Sequence, residues 1–243
     1  MDKVRQQRLV KAKSDALFLN LAEQVKTPFL QIAYAAEMLQ AASTKISSEQ
    51  LRQEIAVTTK SALQLIDGYL LSVELQRQSS LALESVSVSS ILYDAASSLS
   101  DFAKANGCAI ELQIDGKYGP AMGHRQAMLS ALINLGYSLI EASTKLHDKD
   151  VPKVRLSVSR TAKGFRMGVF MNKPITKVML TQAKALTGIS HQPFAKIDSN
   201  NGSGILIAES LMSLVNAPLQ TVRSRGYYGF AATFLPSRQL SLV

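Results

Sequence analysis

The sequence lacks several features that would place it in a familiar class. Its 243 residues include a single cysteine, Cys108, and no tryptophan, and aromatic residues make up only 6%. One cysteine excludes an intramolecular disulfide, and no nearby residues give it the spacing of a metal site. We therefore expect Cys108 to be a small buried hydrophobic residue in a protein of the reducing cytosol.

Membrane-spanning and secretory segments are also missing from the sequence. No apolar run approaches the roughly 20 residues that cross a bilayer. The N-terminal segment is charged, whereas a signal peptide has an apolar centre. We expect a cytoplasmic protein that meets a membrane only through segments upstream of this chain.

The formal net charge is +9, and part of it lies near the N-terminus. The residues concerned are Lys3, Arg5, Arg8, Lys11 and Lys13. A basic helix can contact anionic lipid or nucleic acid. No zinc-ligand spacing and no basic-aromatic signature accompanies the charge, so we interpret the segment as a solvated helix. Binding of nucleic acid or membrane is kept as a third, less favoured hypothesis.

Two segments between about Val4 and Gln76 repeat apolar residues at steps of three and four. In the first they are Phe18, Leu21, Val25, Phe29, Ile32, Ala36 and Leu39, and in the second Leu51, Ile55, Thr58, Ala62, Leu65, Tyr69 and Val73. This spacing predicts two long helices in a hairpin, with Ser47 and Gln50 forming a capping box before the second. One hairpin leaves an apolar stripe uncovered, so we expect a homodimer that forms a four-helix bundle.

The period of the pattern changes after residues 77–85, which we interpret as a connector between domains 1–80 and 86–243. Helices are predicted at Val88–Ala105, Arg125–Ser143, Ile175–Leu186 and Ile205–Leu214, and strands at Cys108–Ile114, Val154–Ser159, Phe165–Met171, Leu219–Ser224 and Phe230–Leu235. Residues 187–203 are predicted to be a loop, and Gly226 and Gly229 to join the last strands. The absence of regular βαβ units favours an α+β chain whose second domain is an α/β sandwich, with helices on one face of a mixed sheet.

The segment AEQVKTPF and the order of these elements together resemble the transmitter core of bacterial sensor histidine kinases. That core is a dimerising helical hairpin followed by an ATP-binding domain, and the resemblance covers nearly the whole chain. The family pattern S-H-E-L-R-T-P-L agrees at Lys26, Thr27 and Pro28, and it accounts for a proline within a helix as the family's bend. Glu23 stands at the position of the phosphorylated histidine, and Gln24 replaces the neighbouring acid.

The segment ALINLGYSLIEAS resembles the family's N box, N-L-x-x-N-A-x-K-x-[ST]. Asn134 matches its first asparagine. The second asparagine, which holds Mg²⁺ in the family, is Ser138, and the lysine that approaches phosphate is Glu141. A carboxylate near a triphosphate without bound metal repels it.

The segment VFMNKPI occupies the place of the family's D-x-G-x-G motif. Met171 or Asn172 falls at the aspartate that accepts the adenine amino proton, and Lys173 replaces a glycine. Neither Met nor an amide reproduces the charge-assisted bond of a carboxylate.

The segment NGSGILIAESL resembles the motif G-T-G-L-G-L-A. Gly202, Ser203 and Gly204 remain, before a helix whose backbone amides can receive phosphate, whereas the third glycine is Leu206. Such a glycine turn is equally expected wherever a loop enters a helix tightly.

The departures all fall on positions of the family's chemistry. The resemblance therefore implies a pseudokinase: a kinase-like dimer without cofactor that has lost ATP binding and autophosphorylation. We expect it to act by binding a response regulator, an active kinase or another signalling protein. The expected partner surface is Glu23, Gln24, Lys26 and Thr27. The alternative is an enzyme with residual ATP and Mg²⁺ binding and noncanonical phosphotransfer.

The three histidines have no metal-ligand spacing. His124 precedes a predicted helix, so we expect a residue at or beside its N-cap. His147 and His191 are interpreted as exposed loop residues.

Overall fold

The computed structural model describes residues 18, 21–22, 25–40, 46–78, 80–144, 151–172, 203–224 and 226–237. Within these ranges the chain forms five helices and seven strands. The predicted helix Ile175–Leu186, most of the predicted loop 187–203, His147 and His191 lie outside them.

The structure has a helix in each of the two predicted N-terminal segments, here called the hairpin helices, whereas the four-helix bundle stays a prediction. The hairpin helices are α1 (25–40), which contains Pro28, and α2 (Ser48–Arg77). The backbone N–H of Gln50 donates to Ser47 Oγ at 3.2 Å, and the N–H of Ser47 donates to Gln50 Oε1 at 3.2 Å. The predicted capping box is therefore confirmed, because each residue satisfies an amide of the first helical turn that has no helical partner.

The described residues after α2 form the predicted α/β sandwich. Its elements in order are β1 (Glu84–Val86), α3 (Val88–Ala105), β2 (Ala109–Ile114), β3 (Ala121–Gly123), α4 (Arg125–Thr144), β4 (Lys153–Thr161), β5 (Gly164–Met171), α5 (Ser203–Leu214), β6 (Gln220–Ser224) and β7 (Tyr227–Phe234). The main sheet has the order β2-β4-β5-β7-β6. β2 is parallel to β4 and the other neighbours are antiparallel. The mixed sheet and the α+β class are thus confirmed.

Strands β1 and β3 were not predicted. They pair as a separate two-stranded antiparallel sheet of three residues each, too short for an alternating pattern to emerge. The predicted connector 77–85 therefore includes the start of a strand.

One hydrophobic core joins the sheet to its helices. Leu92 of α3, Leu132 of α4 and Ile207 of α5 are fully buried with Leu156 and Phe230 of the sheet. Helix α2 packs on α4 and α5 as a further layer. The hairpin and the sandwich therefore share apolar contacts.

The boundary between α3 and β2 follows the sequence closely. Gly107 adopts φ +62°, a left-handed conformation that favours glycine at the end of a helix. Cys108 is buried, as expected. His124 precedes α4, and its Nδ1 accepts a hydrogen bond from the backbone N–H of Ala127 at 3.3 Å. The expected capping role of His124 is confirmed.

The connection between the last two strands needs one correction. Gly226 lies in the turn with φ +81°, but Gly229 lies within β7. A Cβ at Gly229 would stand 2.6 Å from Phe170 Cα on the neighbouring strand. Glycine is therefore required at position 229 because β5 packs closely against it, and not because the chain turns there.

A network around Glu111 ties together three strands on the sheet face opposite the helices. Glu111 Oε2 accepts hydrogen bonds from Arg155 Nη2 at 2.7 Å and from the Tyr227 hydroxyl at 2.9 Å. Lys153 Nζ lies 3.0 Å from Glu111 Oε1. The Arg155 hydrogen bond, followed by those of Lys153 and Tyr227, lowers the pKa of Glu111 to about 2, against the opposing effect of burial.

Glu111→Gln should lower stability at pH 7 by about 1 kcal/mol, a value reduced for partial solvent exposure. The pKa of Glu111 falls on folding, so the stabilisation is complete above the unfolded pKa, near 4.5, and is lost as pH falls through about 2. Urea unfolding should therefore separate the variant from the unaltered chain at pH 7 and bring them together near pH 2. Glu74→Gln, at an exposed carboxylate of α2, is the control. Equal losses at both pH values would contradict the network's role.

Candidate functional site

A cavity of about 610 Å³ lies where the hairpin meets the helical layer of the sandwich. Thr27 and Pro28 of α1 line one side, and Ser138 and Glu141 of α4 line the other with Gly204 of α5. The structure therefore brings Thr27, from the expected partner surface, to the same cavity as two positions of the expected nucleotide pocket.

Asn134 and Ser138 stand one turn apart on α4, and both are buried. Asn134 Nδ2 donates to the carbonyl oxygen of Ser130 at 2.8 Å. Its Oδ1 has no hydrogen-bond partner in the described part of the chain. A Cβ added at Gly204 would contact Ser138 Oγ and would lie 2.6 Å from the carbonyl oxygen of Asn134. Gly204 is thus required by the close approach of α5 to α4.

Met171 and Asn172 lie at the end of β5. Met171 is in the core with 1% of its surface exposed. The Oδ1 of Asn172 accepts from the backbone N–H of Lys153 at 3.0 Å, and its own N–H donates to the Lys153 carbonyl at 3.1 Å. Asn172 therefore closes the β4–β5 ladder, and neither residue supplies a carboxylate for an adenine amino group.

The charges around the cavity do not favour a polyanion. Among the described lining residues, Glu54 and Glu141 carry carboxylates and Lys104 carries an ammonium group. Burial, assisted by the negative charges of Asp101 and Glu141, raises the pKa of Tyr137 to about 12. Its hydroxyl is neutral at physiological pH, so the cavity offers hydroxyl and amide groups with little cationic charge to balance phosphates.

The described residues contain no group of three or more His, Cys, Asp or Glu side chains that could hold a metal ion. None of the helices described is long and apolar enough to cross a membrane.

The sequence matches no protein-family model and no curated protein. Solved structures do match. Histidine kinase ThkA, in complex with response regulator protein TrrA, aligns with a TM-score of 0.60 and 12% identity over 97% of this chain and 66% of ThkA. The histidine kinase AdeS of Acinetobacter baumannii aligns with a TM-score of 0.52 and 13% identity over 87% of this chain and 96% of AdeS. The chain has the fold of a histidine kinase transmitter core.

Full-length ShkA in complex with AMPPNP gives the same result, with a TM-score of 0.54 and 15% identity over 95% of this chain and 46% of ShkA. The transmitter-core resemblance and the α+β fold class are thereby confirmed, whereas the homodimeric four-helix bundle stays a prediction. At these identities the likeness concerns the fold, and the chemistry depends on the residues of this chain.

The predicted site residues of the transmitter core are only partly described. Glu23, Gln24 and Gly202 lie outside the described residues, and of Ser203 only the backbone, at the start of α5, is described. Lys26 is exposed on α1 and lies outside the cavity lining. The partner surface therefore remains a prediction. The same holds for the remnant of a nucleotide pocket that the resemblance implies at Asn134, Ser138, Met171, Asn172, Gly202, Ser203 and Gly204.

Sequence reasoning missed a second buried face of α2. Ser61, Gly68, Ser72 and Leu75 are buried on it, and the first three are too small or polar to enter an apolar pattern. A glycine within a helix costs about 1 kcal/mol relative to alanine, so Gly68 was the available signal. A Cβ there would lie 2.7 Å from Asn134 Nδ2.

Proposed function

We propose that this chain is a pseudokinase, a histidine-kinase-like dimer that regulates two-component signalling by binding a partner protein. The observation that carries the proposal is a transmitter-core fold in a sequence that has Glu23 at the position of the phosphorylated histidine. A glutamate could receive phosphate only as an acyl phosphate, and no constellation that would activate such a nucleophile is found among the described residues.

The residues at the family's nucleotide-binding positions support the same proposal. The expected Mg²⁺ ligand is replaced by the hydroxyl of Ser138, and the expected lysine by the carboxylate of Glu141. The amide oxygen of Asn172 already accepts a backbone hydrogen bond. Binding of ATP would thus have to proceed without three of the family's polar contacts.

A response regulator is the partner that we propose. ThkA is a histidine kinase solved with a response regulator bound. On α1 of this chain, Lys26 is exposed beside Thr27, which lines the cavity. An exposed cation on a helix is suited to an acidic protein surface.

Lys26→Glu should weaken binding of the partner by at least about tenfold, since it places a like charge against an acidic surface. Purified receiver domains of response regulators, tested one by one by fluorescence anisotropy, provide the measurement. Lys163→Glu makes the same charge change at an exposed turn of the sandwich and should leave affinity unchanged. Equal effects of both variants would show a general charge effect and contradict a surface on α1.

The homodimer is part of the same proposal. Five large apolar side chains of the hairpin expose between 53% and 61% of their surface: Phe29, Leu30, Tyr34, Leu63 and Leu70. An apolar stripe of this kind on two adjacent helices is suited to burial against a second copy in a four-helix bundle.

A further inference from the structure

Three buried hydroxyl groups line the cavity between the hairpin helices and the sandwich. Ser61 lies on α2, and Tyr137 and Ser138 lie on α4. These residues expose only 4–5% of their surface. Within the described part of the chain, none of the three hydroxyls makes a hydrogen bond. A buried hydroxyl without a partner destabilises the fold, so three of them in one cavity indicate that a bound molecule supplies their hydrogen bonds.

Other buried serines of the same helices are satisfied by the backbone. Ser72 of α2 and Ser143 of α4 each donate to the backbone carbonyl three residues earlier, at 2.9 and 2.6 Å. A serine within a helix commonly bonds its own backbone in this way. Ser61 and Ser138 depart from this arrangement, and both line the cavity. Their hydroxyls are therefore available to a molecule held there.

The charges of the cavity disfavour a charged occupant. The described lining has the carboxylates of Glu54 and Glu141 and the ammonium group of Lys104, so an anion meets more repulsion than attraction. Glu54 and Lys104 are exposed, and solvent ions screen their charges. Glu141 already interacts with another residue. A buried cation needs a closely paired counter-charge, and the described lining residues do not dedicate one to it.

The remaining lining suits a molecule with several hydroxyl groups. A serine or tyrosine hydroxyl both donates and accepts a hydrogen bond, as a ligand hydroxyl does. Val57, Leu65 and Phe102 add apolar surface for the C–H groups of such a ligand. The cavity volume of about 610 Å³ lies within the range of about 300–1,000 Å³ that is usual for small-molecule sites.

We infer that the cavity binds a small neutral molecule with several hydroxyl groups, of the size of a mono- or disaccharide. Ser61 binds it from α2, and Tyr137 and Ser138 bind it from α4. The ligand thus bridges the hairpin helices and the sandwich. The inference goes beyond the proposed function and does not depend on it, since the hydroxyls are present whichever protein the chain binds.

Glucose, ribose, myo-inositol and trehalose are the probes, each titrated against the full chain and followed by ligand-observed NMR. At least one of them should bind with a dissociation constant below about 1 mM. The phosphorylated and the amino derivative of that probe should each bind at least about tenfold more weakly, because neither added charge finds a buried counter-charge among the described lining residues.

Removal of single hydroxyls tests which groups hold the ligand. Ser61→Ala and Ser138→Ala should each weaken binding of that probe at least about threefold. Neither should lower the Tm of the free chain, because neither hydroxyl has a partner within the described part of the chain. Ser72→Ala and Ser143→Ala are the matched controls, since they remove backbone-bonded hydroxyls of the same two helices away from the cavity lining. They should leave the affinity unchanged.

Three results would overturn the inference. If none of the four probes binds the unaltered chain with a dissociation constant below about 1 mM, the hydroxyls hold water and no ligand of this class. Equal losses of affinity in the cavity variants and in their controls would place the ligand elsewhere. Tighter binding of a phosphorylated derivative than of its neutral parent would show a site for anions.

Discussion

The double variant Tyr34→Asp, Leu70→Asp is expected to be monomeric at concentrations where the unaltered chain is a dimer. Both side chains are more than half exposed in the single chain, so their replacement leaves the protomer's core intact. Burial of one large apolar side chain stabilises an interface by about 1.5–3 kcal/mol. A two-fold interface loses each contact twice, and the dissociation constant should rise by more than about a hundredfold.

Light scattering at tens of micromolar would measure the change in mass. Tyr93→Asp is the matched control, because Tyr93 lies on α3 and its exposure of 61% equals that of Tyr34 within one per cent. It should leave the dimer intact. A monomeric unaltered chain at these concentrations would contradict the homodimer. Dissociation by Tyr93→Asp would indicate that the interface includes α3 and is not confined to the hairpin.

The sandwich was largely predictable, because its elements carry strong local signals. Helix α3 was predicted with the bounds that the structure has, since an apolar pattern runs from Val88 and Gly107 marks its end. The β4–β5 pair followed from the two alternating segments Val154–Ser159 and Phe165–Met171. The β1–β3 pair was not predicted, because a three-residue strand is too short to show an alternating pattern of its own.

The site was less predictable, because its arrangement depends on contacts between distant parts of the chain. The motifs located Ser138 and Gly204, but not the close approach of α5 to α4 that leaves no room for a Cβ at Gly204. They did not indicate that Asn172 is held by Lys153. The burial of Gly68 on Asn134 depends on how α2 sits against α4, and no local propensity contains that information.

ATP with or without Mg²⁺ is expected to bind more weakly than about 1 mM, and at least about a hundredfold more weakly than to an active histidine kinase measured in parallel. A hydrogen bond to a charged group contributes about 1.5–3 kcal/mol. The chain lacks the adenine carboxylate, because Met171 and Asn172 stand there, and the phosphate-facing lysine, because Glu141 stands there. Loss of two such contacts accounts for the expected factor.

Reversal of these substitutions tests the reason for the weak binding. The triple variant Ser138→Asn, Glu141→Lys, Asn172→Asp should bind labelled ATP at least about tenfold more tightly than the unaltered chain. Glu54→Lys is the control, because it makes the same charge change as Glu141→Lys on the α2 side of the cavity. It should raise the affinity for ATP only slightly, since its lysine does not stand at the family's phosphate-facing position. Micromolar binding by the unaltered chain would contradict the pseudokinase proposal and favour an enzyme with residual nucleotide binding. If the triple variant gains nothing, the three positions do not hold the roles that the family resemblance gives them.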